Sequence, residues 1–410
     1  MKADRLLLQE KAEFARIAAP CPAFGTCGGC TVQDLAYADQ LALKQQRVLR
    51  ILGALDPSLQ VEIVPMDDPW RYRNKAEFTF GYARRPEHAE DRPGLVLGYH
   101  AARSFWRIVD LDDCLLLPES VMAVVRHVRA LVRESGLSPY NPRTHHGVFR
   151  YLLVRTSRAT GKLLVSIMTT RVERPVLERM AEALIAEHAD LASVYWGVNE
   201  KVADVAIPDE LFLLKGAPHL DDRIGPFAVA LHPMNFLQPN PLQAERLYAR
   251  LAELVSTMPT AAAWDLYCGI GLITLYLASK FQVVYGIDSE LRNLEMAQRN
   301  AQANGITNAQ FRTGKAEELL ADKRFWLLEA KPEVVVVDPP RSGLHPKVIG
   351  ALLAAKPKQL VYVSCNAHAL ARDLQPLLVG YPRYRIVHAS AFDLFPHTNH
   401  LEVLTLLERS

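Results

Sequence analysis

After residue 240 the chain alternates short apolar runs with amphipathic stretches. "AAAWDLYC", "VVYGID", "NAQFRTG", "EVVVVDPP" and "QLVYVSC" read as strands, and "SELRNLEMAQRNAQANG" and "PKVIGALLAAK" as helices between them. Nearly continuous apolar strands separated by helices predict a doubly wound parallel sheet. Such a sheet binds its ligand beyond the carboxyl ends of the strands, where the strand order reverses. Three runs reach that edge with a polar or reactive residue, Asp288, Asp338 and Cys365.

Upstream the texture differs. From about Val61 to Ala230 the runs "KAEFTFGYA", "GLVLGYH", "FRYLLVRTS", "KLLVSIMTT" and "SVYWGVNE" are separated by turn residues and predict a β-rich α+β unit. Helices are expected near Pro118 to Ser135 and Val176 to His188. A Cys-Gly loop, "CPAFGTCGGC", and a polar helix precede this unit. The pattern divides the chain into 1–60, a cysteine loop with a helical segment; 61–230, a β-rich central part; and 231–410, the doubly wound part.

Composition changes this picture little. Half of the 410 residues are hydrophobic and the net charge is +2, so affinity for nucleic acid must come from a local patch. The N-terminus "MKADRLLLQEKAEFAR" lacks the apolar core of a signal peptide, and the most apolar window contains Asp265 and two glycines. A cytoplasmic protein without a membrane partner is expected. Its six cysteines, at 21, 27, 30, 114, 268 and 365, do not form a secreted disulfide pattern.

"WDLYCGIGLITLYLA" is a strand, a Gly-x-Gly turn and a helix. The acid that ends the next strand, Asp288, is suited to ribose hydroxyls. A dinucleotide and S-adenosylmethionine both fit this pattern. The missing third glycine and the rigid acidic lip Asp338-Pro339-Pro340-Arg341 favour the methyl donor. Read by itself, Cys365 is a small buried hydrophobe, but its place at the active edge of the sheet suggests otherwise.

"FLQPNP", "DLYCGIGLITL", "DPPRSGL", "VSCNAHALARDL" and "DLFPHTNHLEVLTLLE" follow in the order of the signatures of the RNA uracil-C5 methyltransferase family, which the chain resembles from Cys21 to its end. The resemblance implies a Rossmann-like α/β S-adenosylmethionine-dependent methyltransferase domain beside a β-rich domain carrying an iron–sulfur cluster. By position it implies donor contacts at Gln238, Tyr267, Asp288 and Asp338, a nucleophile at Cys365 and a base at Glu402. The substrate it implies is RNA, 23S ribosomal RNA first and a tRNA uridine-54 type target as the alternative. Two departures stand out: Ala367-His368-Ala369 replaces the family's Pro-x-Thr, and Leu272 stands where some members carry asparagine. With 20 residues before Cys21, the extra β-barrel of some ribosomal members is not expected.

The chemistry explains these residue types. A thiolate that adds to uracil C6 makes C5 nucleophilic, and a base must later remove the C5 proton. Such a thiol is expected in a polar, accessible niche. His397 and His400, beside Glu402, are expected to shape the loop, and Cys268 to pack. With Cys268 and Cys365 so assigned, Cys21, Cys27, Cys30 and Cys114 remain as four ligands for zinc or an iron–sulfur cluster, and the resemblance favours [4Fe-4S]. Eight Lys/Arg and eight aromatic residues between Trp70 and Arg107 suggest an RNA-facing surface, above all Arg73, Asn74 and Lys75. A dinucleotide-dependent iron–sulfur oxidoreductase and a noncatalytic iron–sulfur RNA-binding protein are the competing readings. The protein is expected to be monomeric.

Overall fold

The computed structural model describes residues 2–83, 94–104, 106–322 and 330–410. Helices α1 (Lys2–Lys11) and α2 (Tyr37–Leu52) lead to a short strand, β1 (Glu62–Val64). A seven-stranded sheet follows, built from β2 (Lys75–Tyr82), β3 (Leu95–His100), β4 (Ile108–Asp110), β5 (Phe149–Thr156), β6 (Leu163–Thr169), β7 (Leu191–Val198) and β8 (Glu210–Gly216), in the order β4-β3-β2-β5-β6-β7-β8. Helices α3 (Glu119–Glu134) and α4 (Arg174–Glu187) cover one face.

Period-two alternation sorts the side chains of this sheet between two cores. On β5, Leu152 and Val154 join Val121, Val125 and Val128 of α3, whereas Tyr151 and Leu153 turn to the opposite face and pack into the next layer. That layer includes a hairpin, β9 (Leu220–Ile224) and β10 (Phe227–Leu231), and helix α5 (Pro241–Leu254). The sequence texture drew the hairpin into the central part, but its Leu220, Ile224 and Val229 share a core with Leu247 and Leu251 of α5.

The second large sheet contains β11 (Met258–Leu266), β12 (Phe281–Asp288), β13 (Ala309–Thr313), β14 (Pro332–Val337), β15 (Gln359–Ser364), β16 (Tyr384–Phe392) and β17 (Glu402–Arg409), with β1 at its edge. The order is β1-β16-β17-β15-β14-β11-β12-β13. Helices α6 (Leu272–Ala278), α7 (Leu291–Ala303), α8 (Ala316–Leu319), α9 (Pro346–Ala355) and α10 (Ala367–Val379) connect these strands. The alternation repeats here. Val334 and Val336 face the layer of α5 and α6, while Val335 and Val337 face α2, α9 and α10.

β1 pairs in parallel with β16, from Glu62↔Ser390 to Val64↔Phe392, and α2 packs on α10. Residues 37–64 therefore complete the doubly wound sheet, although the sequence placed them in the two upstream parts. A three-residue edge strand carries no periodicity for a reader to detect. No helix among the described residues is long and apolar enough to cross a membrane.

Candidate active site

Cys365 is the first residue beyond β15 and is half-buried. Its neighbours build the turn that presents it. Ser364 Oγ accepts from the Asn366 N–H (3.1 Å) and donates to the Asn366 carbonyl (3.0 Å). The Asn366 side chain caps α10 by accepting from the N–H groups of His368 (3.1 Å) and Ala369 (3.4 Å). Its amide donates to the Arg341 carbonyl (3.0 Å). The cap uses only backbone donors, so Ala367-His368-Ala369 serves it without Pro-x-Thr.

The strand register brings Glu402 to this turn. β15 and β17 run antiparallel with Ser364 opposite Val403, so the next step along both strands sets Cys365 across from Glu402. Glu402 is 3% exposed and its Oε2 has no hydrogen-bond partner. Asp338 follows β14, the neighbour of β15 on the other side. Burial, and then the charge of Asp338, drives the Glu402 carboxyl well above the ordinary range; burial raises Asp338 to about 7. The Cys365 thiol is pushed up to about 11, by burial first and then by Glu402 and Asp338, with Arg341 opposing. In the free protein the thiol is therefore held neutral, not in the ionising niche expected from sequence. Burial of the thiol accounts for most of the difference, and the two nearby carboxyls add to it.

β11 has β12 on one side and β14 on the other, so the strand order reverses at the carboxyl ends of β11 and β14. Tyr267 and Asp338 flank that crevice. Tyr267 adopts φ 66°, a left-handed conformation costly for a bulky residue and characteristic of functional turns. Gly271 (φ 86°) suits glycine, because that left-handed backbone strains any other residue and a Cβ would crowd the Ala297 Cβ at 3.0 Å. Asp288 ends β12 and closes the turn: Oδ2 accepts from Gly269 N–H (2.9 Å), and Oδ1 from Glu290 N–H (2.8 Å) and Asn293 Nδ2 (3.3 Å).

Beneath the turn lies Asp265, fully buried. Its Oδ2 accepts from the Thr274 hydroxyl (2.6 Å), its Oδ1 has no partner, and burial raises the carboxyl to about 7. An acid whose pKa is higher folded than unfolded stabilises the protein at low pH, and this contribution is lost as pH rises from the ordinary 3.8 to about 7. Asp265→Asn should flatten that fall. Its urea midpoint, relative to wild type, should be higher at pH 8 than at pH 5.

Polar residues that sequence reading passed over hold the site together. Lys44 of α2 and Asp393 form a fully buried ion pair. Lys44 also donates to the Phe395 carbonyl (3.0 Å), and Tyr37 donates to Asp393 Oδ2 (2.9 Å). Gln40 bonds both the backbone N–H and the ring of His397, which stacks on Trp70 with ring centroids 3.7 Å apart. His397 thus shapes the loop, as expected. Asn240 caps α5 and donates to the Leu394 carbonyl (3.2 Å).

Gln238 is buried, and its backbone is held from the central sheet. Asn74 donates to the Gln238 carbonyl (3.2 Å) and, through its backbone, to that of Pro239 (2.9 Å). Arg155, fully buried, donates to the carbonyls of Pro233 and Asn235. Arg73, Asn74 and Lys75, expected at the RNA surface, are therefore mainly engaged within the protein. Arg73 faces the cysteines, Asn74 is 3% exposed and Lys75 pairs with Glu77. Phe78 and Phe80 are core residues, whereas Arg103, Trp106 and Arg107 are exposed. Arg84, Arg85, Arg92 and Phe105 lie outside the described residues.

Cys21, Cys27, Cys30 and Cys114 line one cavity together with Arg73, Tyr99 and Gln33. Among the described residues no three His, Cys, Asp or Glu side chains are grouped to hold a metal ion. Burial raises Cys27, Cys30 and Cys114, Cys30 to about 12. Cys268 is buried in the core.

Residues 227–410 match the family described as tRNA (uracil-5-)-methyltransferase. An uncharacterized RNA methyltransferase of Halalkalibacterium halodurans is 35% identical over 98% of this chain and 86% of its own length. Another, from Listeria innocua, is 35% identical over 96% and 84%. The crystal structure of the Pyrococcus abyssi tRNA (uracil-54, C5)-methyltransferase with S-adenosyl-L-homocysteine superposes with a TM-score of 0.74, at 30% identity over 92% of this chain and 85% of that one. The fold is that of an α/β methyltransferase. The chain belongs to the RNA uracil-C5 methyltransferase family.

Proposed function

We propose that the protein transfers a methyl group from S-adenosylmethionine to C5 of a uridine in structured RNA, with Cys365 as nucleophile and Glu402 as base. The donor supplies an electrophilic methyl group on a sulfonium. The Cys365 thiol first gives up its proton to solvent; the thiolate adds to C6, and the electrons of the C5–C6 double bond move toward O4 as an enolate. C5 then forms a bond to the methyl carbon as the carbon–sulfur bond breaks. Glu402 removes the C5 proton, the double bond re-forms, and the thiolate departs. The register that sets Cys365 across from Glu402 carries this reading.

Gln238, Tyr267, Asp288 and Asp338 are assigned to the donor, with Asp288 on its ribose hydroxyls. Their positions around the strand-order reversal support the assignment. The exposed Arg103, Trp106 and Arg107 are assigned to RNA phosphates and an unstacked base. A target uridine must leave its stack to reach Cys365, which favours a loop or bulge. We assign 23S ribosomal RNA as the substrate. The likeness to a tRNA (uracil-54, C5)-methyltransferase favours tRNA as the second reading. Mapping 5-methyluridine in both RNAs from a deletion strain decides: a site lost from 23S RNA and restored by the gene is expected, and loss confined to tRNA would move the assignment.

The four thiols are assigned to a [4Fe-4S] cluster, whose ligands surround a volume where those of a single ion converge on a point. The cavity suits such an anionic group. Gly29 N–H and Gln33 Nε2 already donate to Cys27 and Cys30 sulfur (3.4 and 3.3 Å), and Arg73 brings a cation whose Nε is buried without a partner. Protein purified anaerobically should contain about four irons per chain; stoichiometric zinc without iron would refute the assignment.

A further inference from the structure

The thiol loop touches two regions that the proposed reaction needs. On one side, Cys27 bridges Ala101, Gly28 N–H donates to the His100 carbonyl (3.0 Å), and Ala102 N–H donates to the Thr26 carbonyl (2.8 Å). A Cβ on Gly28 would lie 2.9 Å from that His100 oxygen, so the approach depends on glycine. These contacts hold the start of the connection that displays Arg103, Trp106 and Arg107. On the other side, directly after Cys30, the N–H groups of Thr31 and Val32 both donate to the His397 carbonyl (2.9 and 3.1 Å). His397 lies five residues before Glu402, on the loop that leads into β17.

A second link runs through the far wall of the thiol cavity. Arg71 and Arg73 N–H groups donate to the carbonyls of Leu115 and Leu116, next to Cys114 (2.9 Å each). Between them, Tyr72 is buried and donates its hydroxyl to the Pro396 carbonyl (3.1 Å). Both walls of the cavity, the Cys30 side and the Cys114 side, thus end in hydrogen bonds to adjacent carbonyls, Pro396 and His397. Lys44 and Tyr37 anchor the start of this loop at Asp393, and Gln40 and Arg47 of α2 hold His397 and Asn399; the thiol cavity adds the bonds to the Pro396 and His397 carbonyls.

We propose that the thiol loop mechanically joins the exposed Arg103/Trp106/Arg107 surface to the loop that leads into Glu402, and that joining its two walls through the bound cluster fixes both. Thr31, Val32 and Tyr72 are positioning groups in this account and touch no reacting atom. The inference rests on the reading that the cavity holds a cluster. Its consequence is a split within the reaction. Attack by Cys365 depends on the turn at Ser364 and Asn366 and survives loosening of the Pro396–His397 contacts. Proton removal by Glu402 does not.

Hydrogen exchange on the whole protein, before and after its iron is chelated, tests this. Removal should speed exchange at Gly28, Thr31, Val32 and Ala102 by roughly three- to tenfold for each hydrogen bond released, with β5 and β6 unchanged. Unchanged exchange at those four amides, in protein shown to have lost its iron, would overturn the coupling and leave the cluster reading intact. Protein isolated anaerobically without iron would overturn both. Tyr72→Phe supplies a second arm. It should retain wild-type iron and raise the share of enzyme caught covalently on RNA about threefold or more, the equivalent of one lost hydrogen bond. A purely structural defect would lower adduct and turnover together; that result, or a wild-type adduct share, would overturn the proposal.

Discussion

Glu402→Gln should accumulate a covalent protein–RNA adduct where the wild type turns over. Glutamine keeps the shape and removes the basicity, so Cys365 can still add to C6 and C5 can still take the methyl group. The C5 proton then has no acceptor, and the thiolate cannot be expelled. A base at this step is worth about 10²–10⁴ in rate, so release should slow by that order. Cys365→Ala should form no adduct and transfer no methyl group. Burial disfavours the charged forms of both Glu402 and Cys365 in the free site. Adduct formation in Glu402→Gln should therefore rise with pH and do so below the wild-type thiol's value of about 11, because glutamine removes one of the charges that raise it. A Glu402→Gln enzyme that turns over at the wild-type rate would assign the base elsewhere.

Lys44→Ala is expected to be the most destabilising single change outside the apolar cores. Lys44 and Asp393 are both 0% exposed. Deleting the cation leaves a buried carboxylate with the Tyr37 hydroxyl as its remaining side-chain donor, a loss of about 3–5 kcal/mol. The double variant Lys44→Met/Asp393→Leu removes the charge that would be stranded and should recover much of that stability. Denaturant midpoints of the single and double variants check this. A single variant within about 1 kcal/mol of wild type would mean that the pair is solvated.

The sequence displayed one class of information well and another hardly at all. Strands β11, β12, β14 and β15 were legible because a sheet covered on both faces demands unbroken apolar runs, and their polar ends marked the active edge. Cys365 and Glu402 were legible through their motifs, and the strand register, with Ser364 opposite Val403, brings them close together. Lys44, Asn74 and Arg155 were not, because each looks like an ordinary surface residue until a partner distant in sequence buries it. Lys44 and Asp393 are separated by 349 positions. The inward turn of Arg73-Asn74-Lys75 has the same origin, since basic residues near aromatics read as a nucleic-acid surface unless the carbonyls they hold are known. The thiol's ionisation was misread for a related reason. Strand-tip placement suggested solvent, whereas burial, and then Asp338 and Glu402 brought in by neighbouring strands, disfavour the anion.

The most direct test of the central claim uses RNA carrying 5-fluorouridine at the target position, together with S-adenosylmethionine. Fluorine at C5 leaves Glu402 no proton to remove, so the enzyme should stop after methylation with Cys365 bonded to C6. Digestion and mass spectrometry should then find the modified nucleotide, with its added methyl group, attached to the peptide containing Cys365. An adduct on another residue, or methylation of ordinary uridine with no adduct on the fluorinated RNA, would contradict the mechanism.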